Sequence, residues 1–315
     1  MNGKLTIWIL ALLSVPFSVF AQENGSDILF VRNKSASYPY QLAHPDKRWK
    51  LPEKLKEISG LSLISRHKLA CVQDEKGIIY VFNTKKGEVV KQIKFGEKGD
   101  YEGIEIVGND AWVLKSNGTL YEVKDFLKKK NPKVVKYNTI LSGRNNAEGL
   151  GYDTVHRQLL IACKGYPFPE GDEIENLNPA CFKAVYRFPL ATKKLDKTPA
   201  LLIALDTIKQ YKGYNTLTRA GIALLAFLDA SEGDVSFKPS AIAIEPGTGN
   251  YYILASSGNA LAVFSADGVL LSLATLRSKV HIQPEGICFG PGGTLYIANE
   301  GKDSKGKIYR FNRRY

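Results

Sequence analysis

The chain of 315 residues has a single methionine, four histidines and four cysteines. The histidines, His44, His67, His156 and His281, are scattered without ligand spacing, which disfavours a zinc site. Cys71, Cys163, Cys181 and Cys288 form no CxxC pair, which excludes a zinc ribbon and a thioredoxin-like motif. A disulfide between Cys163 and Cys181, which bracket one loop, and buried free thiols are both open readings. No GxSxG elbow, Walker loop, helix-opening GxGxxG or HExxH is present, so the common hydrolase, nucleotide-binding and zinc-protease signatures are absent. Gly290-Pro291-Gly292-Gly293 reads as a tight turn. Beyond the N-terminus no apolar run reaches membrane-spanning length; Ala220–Leu228 is too short.

What is there is an ordinary globular composition, 44% hydrophobic and 23% charged, rich in strand-forming aromatics with 16 Tyr and 14 Phe. The first 21 residues have the order of a secretory signal peptide. Lys4 supplies the basic n-region, Leu5–Leu13 the apolar core, and Val19-Phe20-Ala21 the cleavage site. Residues 22–37 then form an N-terminal segment ahead of one domain, 38–315. The expected location is periplasmic or secreted, with an uncleaved membrane anchor as the alternative. The net charge of +12 favours an anionic partner, such as a small molecule or an envelope component, or peripheral contact with an anionic membrane. Scattered lysines serving solubility are the competing explanation. No nucleic-acid-binding module appears, and nucleic acid is not an expected partner. The protein is expected to be a monomer.

A short unit recurs along the chain: Ile58-Ser59-Gly60-Leu61, Tyr101-Glu102-Gly103-Ile104, Ala147-Glu148-Gly149-Leu150, Pro239-Ser240-Ala241-Ile242 and Pro284-Glu285-Gly286-Ile287. Ser59 to Glu102 is 43 positions, Glu102 to Glu148 is 46, and Ser240 to Glu285 is 45. Each unit is followed by a second strand, as at Leu69–Val72 and Leu295–Ala298, and by a third, as at Gly77–Asn83 and Gly306–Phe311. Four-stranded units of this period are the pattern of β-propeller blades. The expected fold is all-β, a five-bladed β-propeller of four-stranded antiparallel blades. The interval of 92 positions from Glu148 to Ser240 makes six blades the alternative. Five are favoured because Lys183–Phe188 and Leu201–Leu205 complete the third blade, leaving insertions at Gly165–Ala180 and Thr207–Ser236. The last blade lacks one strand, and Tyr38–Leu42 is expected to fill it and close the ring.

In such a ring the start of each first strand and the end of each second strand meet at one mouth of the central channel. Glu102, Glu148 and Glu285 occupy the start position, while Asn299 and Glu300 follow the second strand of the last blade; Asp74 and Lys115 are nearly equivalent to these. Carboxylates converging on one axis repel one another unless neutralised. An all-oxygen set favours Ca2+, with Mg2+ second. Glutamates bonded to backbone amides, with a purely structural role, are the competing explanation.

The repeated motifs, together with Trp49-Lys50-Leu51-Pro52 and Ile297-Ala298-Asn299-Glu300, resemble the SdiA-regulated (YjiK/CarP-like) family from about Tyr38 to Phe311. That family is similar in turn to NHL-repeat and gluconolactonase-like propellers. The resemblance implies a five-bladed propeller with a calcium site in the ring and a role in calcium handling or the cell envelope. The alternative function is a metal-dependent hydrolase, lactonase-like or phytase-like, in which Lys115 or Lys164 holds an anionic group.

Overall fold

The computed structural model describes residues 28–31, 38–172, 174, 177–212 and 237–314. The first two strands, β1 (Ile28–Val31) and β2 (Lys47–Lys50), precede the repeats. Blade 1 is β3–β6 (Ile58–Ser65, Lys68–Gln73, Lys76–Asn83, Glu88–Lys98). Blade 2 is β7–β10 (Tyr101–Val107, Asp110–Lys115, Leu120–Val123, Val134–Tyr137). Blade 3 is β11–β14 (Ala147–Asp153, Gln158–Cys163, Phe182–Pro189, Leu201–Ala204). Blade 4 is β15–β18 (Lys238–Ile244, Tyr251–Ser257, Ala260–Phe264, Leu270–Thr275), and blade 5 opens with β19–β21 (Pro284–Phe289, Leu295–Asn299, Lys307–Phe311). Every pairing within a blade is antiparallel, and β1 adds a fifth strand outside β18. The fold is the expected five-bladed, all-β propeller.

The five first strands stand innermost, each touching the first strands of the two neighbouring blades. The core is divided the same way. Each of the five apolar clusters joins side chains of two adjacent blades, so the hydrophobic effect acts mainly at the seams.

The ring is closed by a segment before the first repeat, but not the expected one. Blade 5 takes β2 as its outer strand, Trp49 standing opposite Ile308 on β21. Tyr38–Leu42 is not a strand. Its Tyr40 and Leu42 are drawn instead into the apolar cluster between blades 4 and 5, where the Tyr40 hydroxyl donates to the Gly293 carbonyl at 2.6 Å.

The insertion after Lys164 is fastened at its base. The fully buried Asn145 amide donates to the Tyr166 and Phe168 carbonyls at 3.0 and 2.8 Å, and the Tyr186 hydroxyl donates to the Pro167 carbonyl. The second insertion begins in helix α1 (Leu205–Lys212); residues 213–236 lie outside the described residues, as does the expected signal peptide, 1–21. No helix among the described residues is long and apolar enough to cross a membrane. All four cysteines are free thiols in the structure, with Cys181 half-buried and the others buried.

Candidate functional site at the channel mouth

The repeated motif has a local cause. In each blade the pairing of the first and second strands slips at the same place, between Ile58 and Gly60, Tyr101 and Gly103, Ala147 and Gly149, Pro239 and Ala241, and Pro284 and Gly286. Ser59, Glu102, Glu148, Ser240 and Glu285 are therefore the extra residues of five β-bulges, and a bulge re-aims the side chain it carries. The small residue that follows faces the next blade. A Cβ on Gly103 would lie 2.6 Å from Leu150 Cβ, one on Gly149 3.0 Å from Ile242 N, and one on Gly286 3.0 Å from Leu61 Cβ.

The two kinds of bulge residue behave differently. Ser59 Oγ donates to the Tyr101 carbonyl at 2.6 Å, and Ser240 Oγ to the Pro284 carbonyl at 2.7 Å, each tying its blade to the next. Glu102, Glu148 and Glu285 make no such bond to the next blade's carbonyl among the described residues and face the axis instead. With Ser59 they line an axial cavity of about 10 Å³, roughly the room one water molecule needs.

Burial and mutual repulsion govern these groups. Burial, with Glu148 and Asp100 beside it, pushes the Glu102 carboxyl up to about 9. Glu285 is pushed up to about 7 by burial and Glu148, against the pull of Lys164. Glu148 is raised by burial, though Lys164 Nζ stands 2.7 Å from its Oε1 and Asn146 Nδ2 donates to the same oxygen at 2.9 Å. Lys164 also feels Glu285 and Glu102, so one ammonium serves all three glutamates. Further out, burial together with Glu57 and Glu300 pushes Asp74 up to about 6, and burial with Glu285 and Glu57 raises Glu300.

The structure therefore brings Glu102, Glu148, Glu285 and Glu300 to one mouth. Asn299, the last residue of β20, stands opposite Pro284 beside them; it is 1% exposed, and neither amide atom has a hydrogen-bond partner among the described residues. Lys115 instead lies over the Tyr101 ring at 5.6 Å. Sequence reasoning missed Asp100 and Glu57, and it did not pair Lys164 with Glu148. The signal for Lys164 was its rung, since it follows β12 as Asp74 follows β4 and Glu300 follows β20. It also missed Glu105, further along β7, which burial pushes up to about 8 and which accepts from Ser62 Oγ at 2.7 Å.

The donor chemistry fits a hard cation: carboxylate oxygens in net excess over one lysine, with a buried amide oxygen lacking a partner. The spacing is open. Among the described residues no three His, Cys, Asp or Glu side chains are grouped closely enough to hold a metal ion.

Residues 38–168 match the SdiA-regulated family model. No curated protein matches the chain in sequence. Among solved structures, the glutaminyl cyclase of Myxococcus xanthus superposes with a TM-score of 0.53 over 86% of this chain and 95% of that one, at 12% identity. A luciferin-regenerating enzyme reaches 0.49 over 85% of this chain and 95% of its own, at 14% identity. A gluconolactonase of Xanthomonas campestris reaches 0.44 over 78% and 69%, at 12% identity. At these identities the likeness is one of fold. The chain is thus a five-bladed β-propeller whose residues 38–168 match the SdiA-regulated family model.

Proposed function

We propose that the protein is an exported propeller that binds Ca2+ at the acidic mouth of its channel and serves a binding or calcium-handling role at the cell envelope. The observation that carries this reading is the axial cavity of about 10 Å³ ringed by Glu102, Glu148 and Glu285. It is ion-sized, and it is surrounded by three carboxyl groups that share a single lysine, Lys164.

Glu102, Glu148 and Glu285 would hold the ion, with the Asn299 amide oxygen and Glu300 completing an oxygen shell. Bound Ca2+ supplies the positive charge that makes ionising these buried groups favourable. The chain's own part is to release protons from Glu102 and Glu285 and to free Glu148 from Lys164. The Asn299 amide, without a partner among the described residues at the end of β20, offers an oxygen for the ion. The order of regions in residues 1–21 supports export, and the basic balance supports an anionic envelope surface as the partner.

A ligand that binds only the folded state stabilises it by about 2.7 kcal/mol at one hundred times its Kd. Melting curves with chelator and with excess Ca2+ should therefore differ, with a smaller shift for Mg2+. Glu285→Gln should weaken the shift while leaving the chelated protein folded. A wild-type protein that melts identically with and without Ca2+ overturns the reading.

A further inference from the structure

A second cavity, of about 450 Å³, opens between blades 3 and 4 and is lined by His156, Gln158, Arg187, Tyr251, Ala266 and Asp267. Its residues place it on the face of the disc opposite the acidic mouth. Gln158 begins β12 and Tyr251 begins β16, whereas the mouth is built where those strands end. The volume suits a metabolite-sized ligand.

The polar groups of this cavity are unevenly employed. Asp153, the last residue of β11, is saturated: it accepts from the Val155 and His156 amides at 3.0 and 3.1 Å, from Gln158 Nε2 at 3.0 Å and from His156 Nδ1 at 2.7 Å. Burial pushes its carboxyl up, but these donors prevail and hold it low, so it is ionised and His156 carries its proton on Nδ1. Gln158 is likewise oriented by this carboxylate.

Arg187 has no such attachment. It projects from the middle of β13 and is half-buried, yet its guanidinium has neither a hydrogen bond nor an ion pair among the described residues. Tyr251 is 2% exposed, and its hydroxyl is also without a hydrogen bond. Arg187 lies close enough to that hydroxyl to favour its ionised form, although burial dominates and raises the phenol. The nearby Asp267 is fully exposed, and Ser265 is hydrogen-bonded to it; Asp153 is occupied as described. A planar five-donor cation and a phenol donor thus share one wall with no acceptor assigned to them. Guanidinium geometry matches a carboxylate or a phosphate in a two-point hydrogen bond.

We propose that this cavity binds a small organic oxyanion, its carboxylate or phosphate held by Arg187 and Tyr251, with His156 and Gln158 flanking it. The Tyr251 ring and Ala266 provide an apolar wall for the ligand's carbon frame. The site is separate from the cation site at the mouth, so the two faces of the disc take ligands of opposite charge.

Titration calorimetry of the full chain with phenyl phosphate and with benzoate tests this. Binding of either probe supports the proposal if Arg187→Gln weakens it by roughly ten- to hundred-fold, the worth of a charge-assisted pair. Arg187→Gln should leave the melting temperature unchanged, because the guanidinium holds no structural partner among the described residues. Tyr251→Phe should weaken binding several-fold with its ring packing intact. Which probe binds more tightly identifies the anion. The proposal is overturned if neither probe binds the wild type at millimolar concentration, or if Arg187→Gln binds as tightly as wild type.

Discussion

Gly103 shows how much a single motif position carries. Its backbone is not left-handed, so conformational freedom is not the reason for glycine here. The reason is the next blade: a Cβ would meet Leu150 Cβ at 2.6 Å, Leu150 N at 3.1 Å and the Glu148 carbonyl at 3.2 Å, mostly backbone that cannot turn aside. Gly103→Ala should cost about 1–3 kcal/mol of stability by overpacking. Blade 4 already carries Ala241 at this place, so Ala241→Gly should cost less than about 1 kcal/mol. Urea denaturation of the two variants checks the contrast, and equal losses would refute the steric explanation. Lys164 poses the opposite question, since it is the one ammonium among three glutamates. Lys164→Met strands Glu148 in a buried setting and should cost on the order of 3 kcal/mol in chelator. Added Ca2+ should then restore stability by more than it adds to the wild type. A variant that melts low and ignores Ca2+ would assign the glutamates to Lys164 alone.

The seam between blades 2 and 3 shows how elements are coupled. Glu122 on β9 takes Lys124 at its Oε1, and the Tyr137 hydroxyl of β10 at 2.8 Å and Lys193 of blade 3 at 3.0 Å on its Oε2. Lys193 also sits over the Tyr137 ring at 5.1 Å and the Trp112 ring at 5.7 Å. Burial pushes the Glu122 carboxyl up, but these three donors outweigh it and hold it below its ordinary value. A carboxyl lowered in the folded state contributes stability that is present above the unfolded value, about 4.3, and is lost as pH falls through the folded value. Glu122→Gln should therefore flatten the stability profile below about pH 4.3 and lower stability at neutral pH. Equilibrium denaturation across that range decides it; an unchanged acid limb would mean that the cluster does not act in the transition. The inner and middle strands of each blade were legible in sequence because both of their faces are buried. Of the outer strands only β14 was, from Leu201–Leu205. β2 reads Lys-Arg-Trp-Lys and buries only its tryptophan, so its sequence resembles a charged loop. Tyr38–Leu42, apolar enough to resemble a strand, is apolar because it plugs a seam.

At the scale of the molecule, the propeller is a ring in which a strand from before the first repeat, β2, completes the last blade. The need for closure was readable from a last blade one strand short, and so was the crowding of glutamates at one mouth. The counter-charge from Lys164 and the Arg187 guanidinium, without a partner among the described residues, on the other face were not, because each depends on which rungs of different strands come together. The outer strand of the closing blade is held by little. β2 pairs with β21 along four residues, and its buried residue Trp49 reaches across to blade 1. Its Nε1 donates to the Thr84 carbonyl at 3.1 Å, its ring meets the edge of Phe82 at 6.3 Å, and it stacks with Tyr296 of blade 5 at 6.3 Å. Trp49→Ala should then cost about 3–5 kcal/mol, the usual penalty for removing a large buried aromatic. A chain beginning at Leu51 loses β2 entirely and exposes the backbone of β21, an open edge that invites strand pairing between molecules. A chain beginning at Tyr38 keeps the strand and should melt cooperatively without association. Light scattering and thermal melts of the two truncations separate these outcomes. A chain from Leu51 that matches the chain from Tyr38 in both would mean that the ring holds through its inner strands alone.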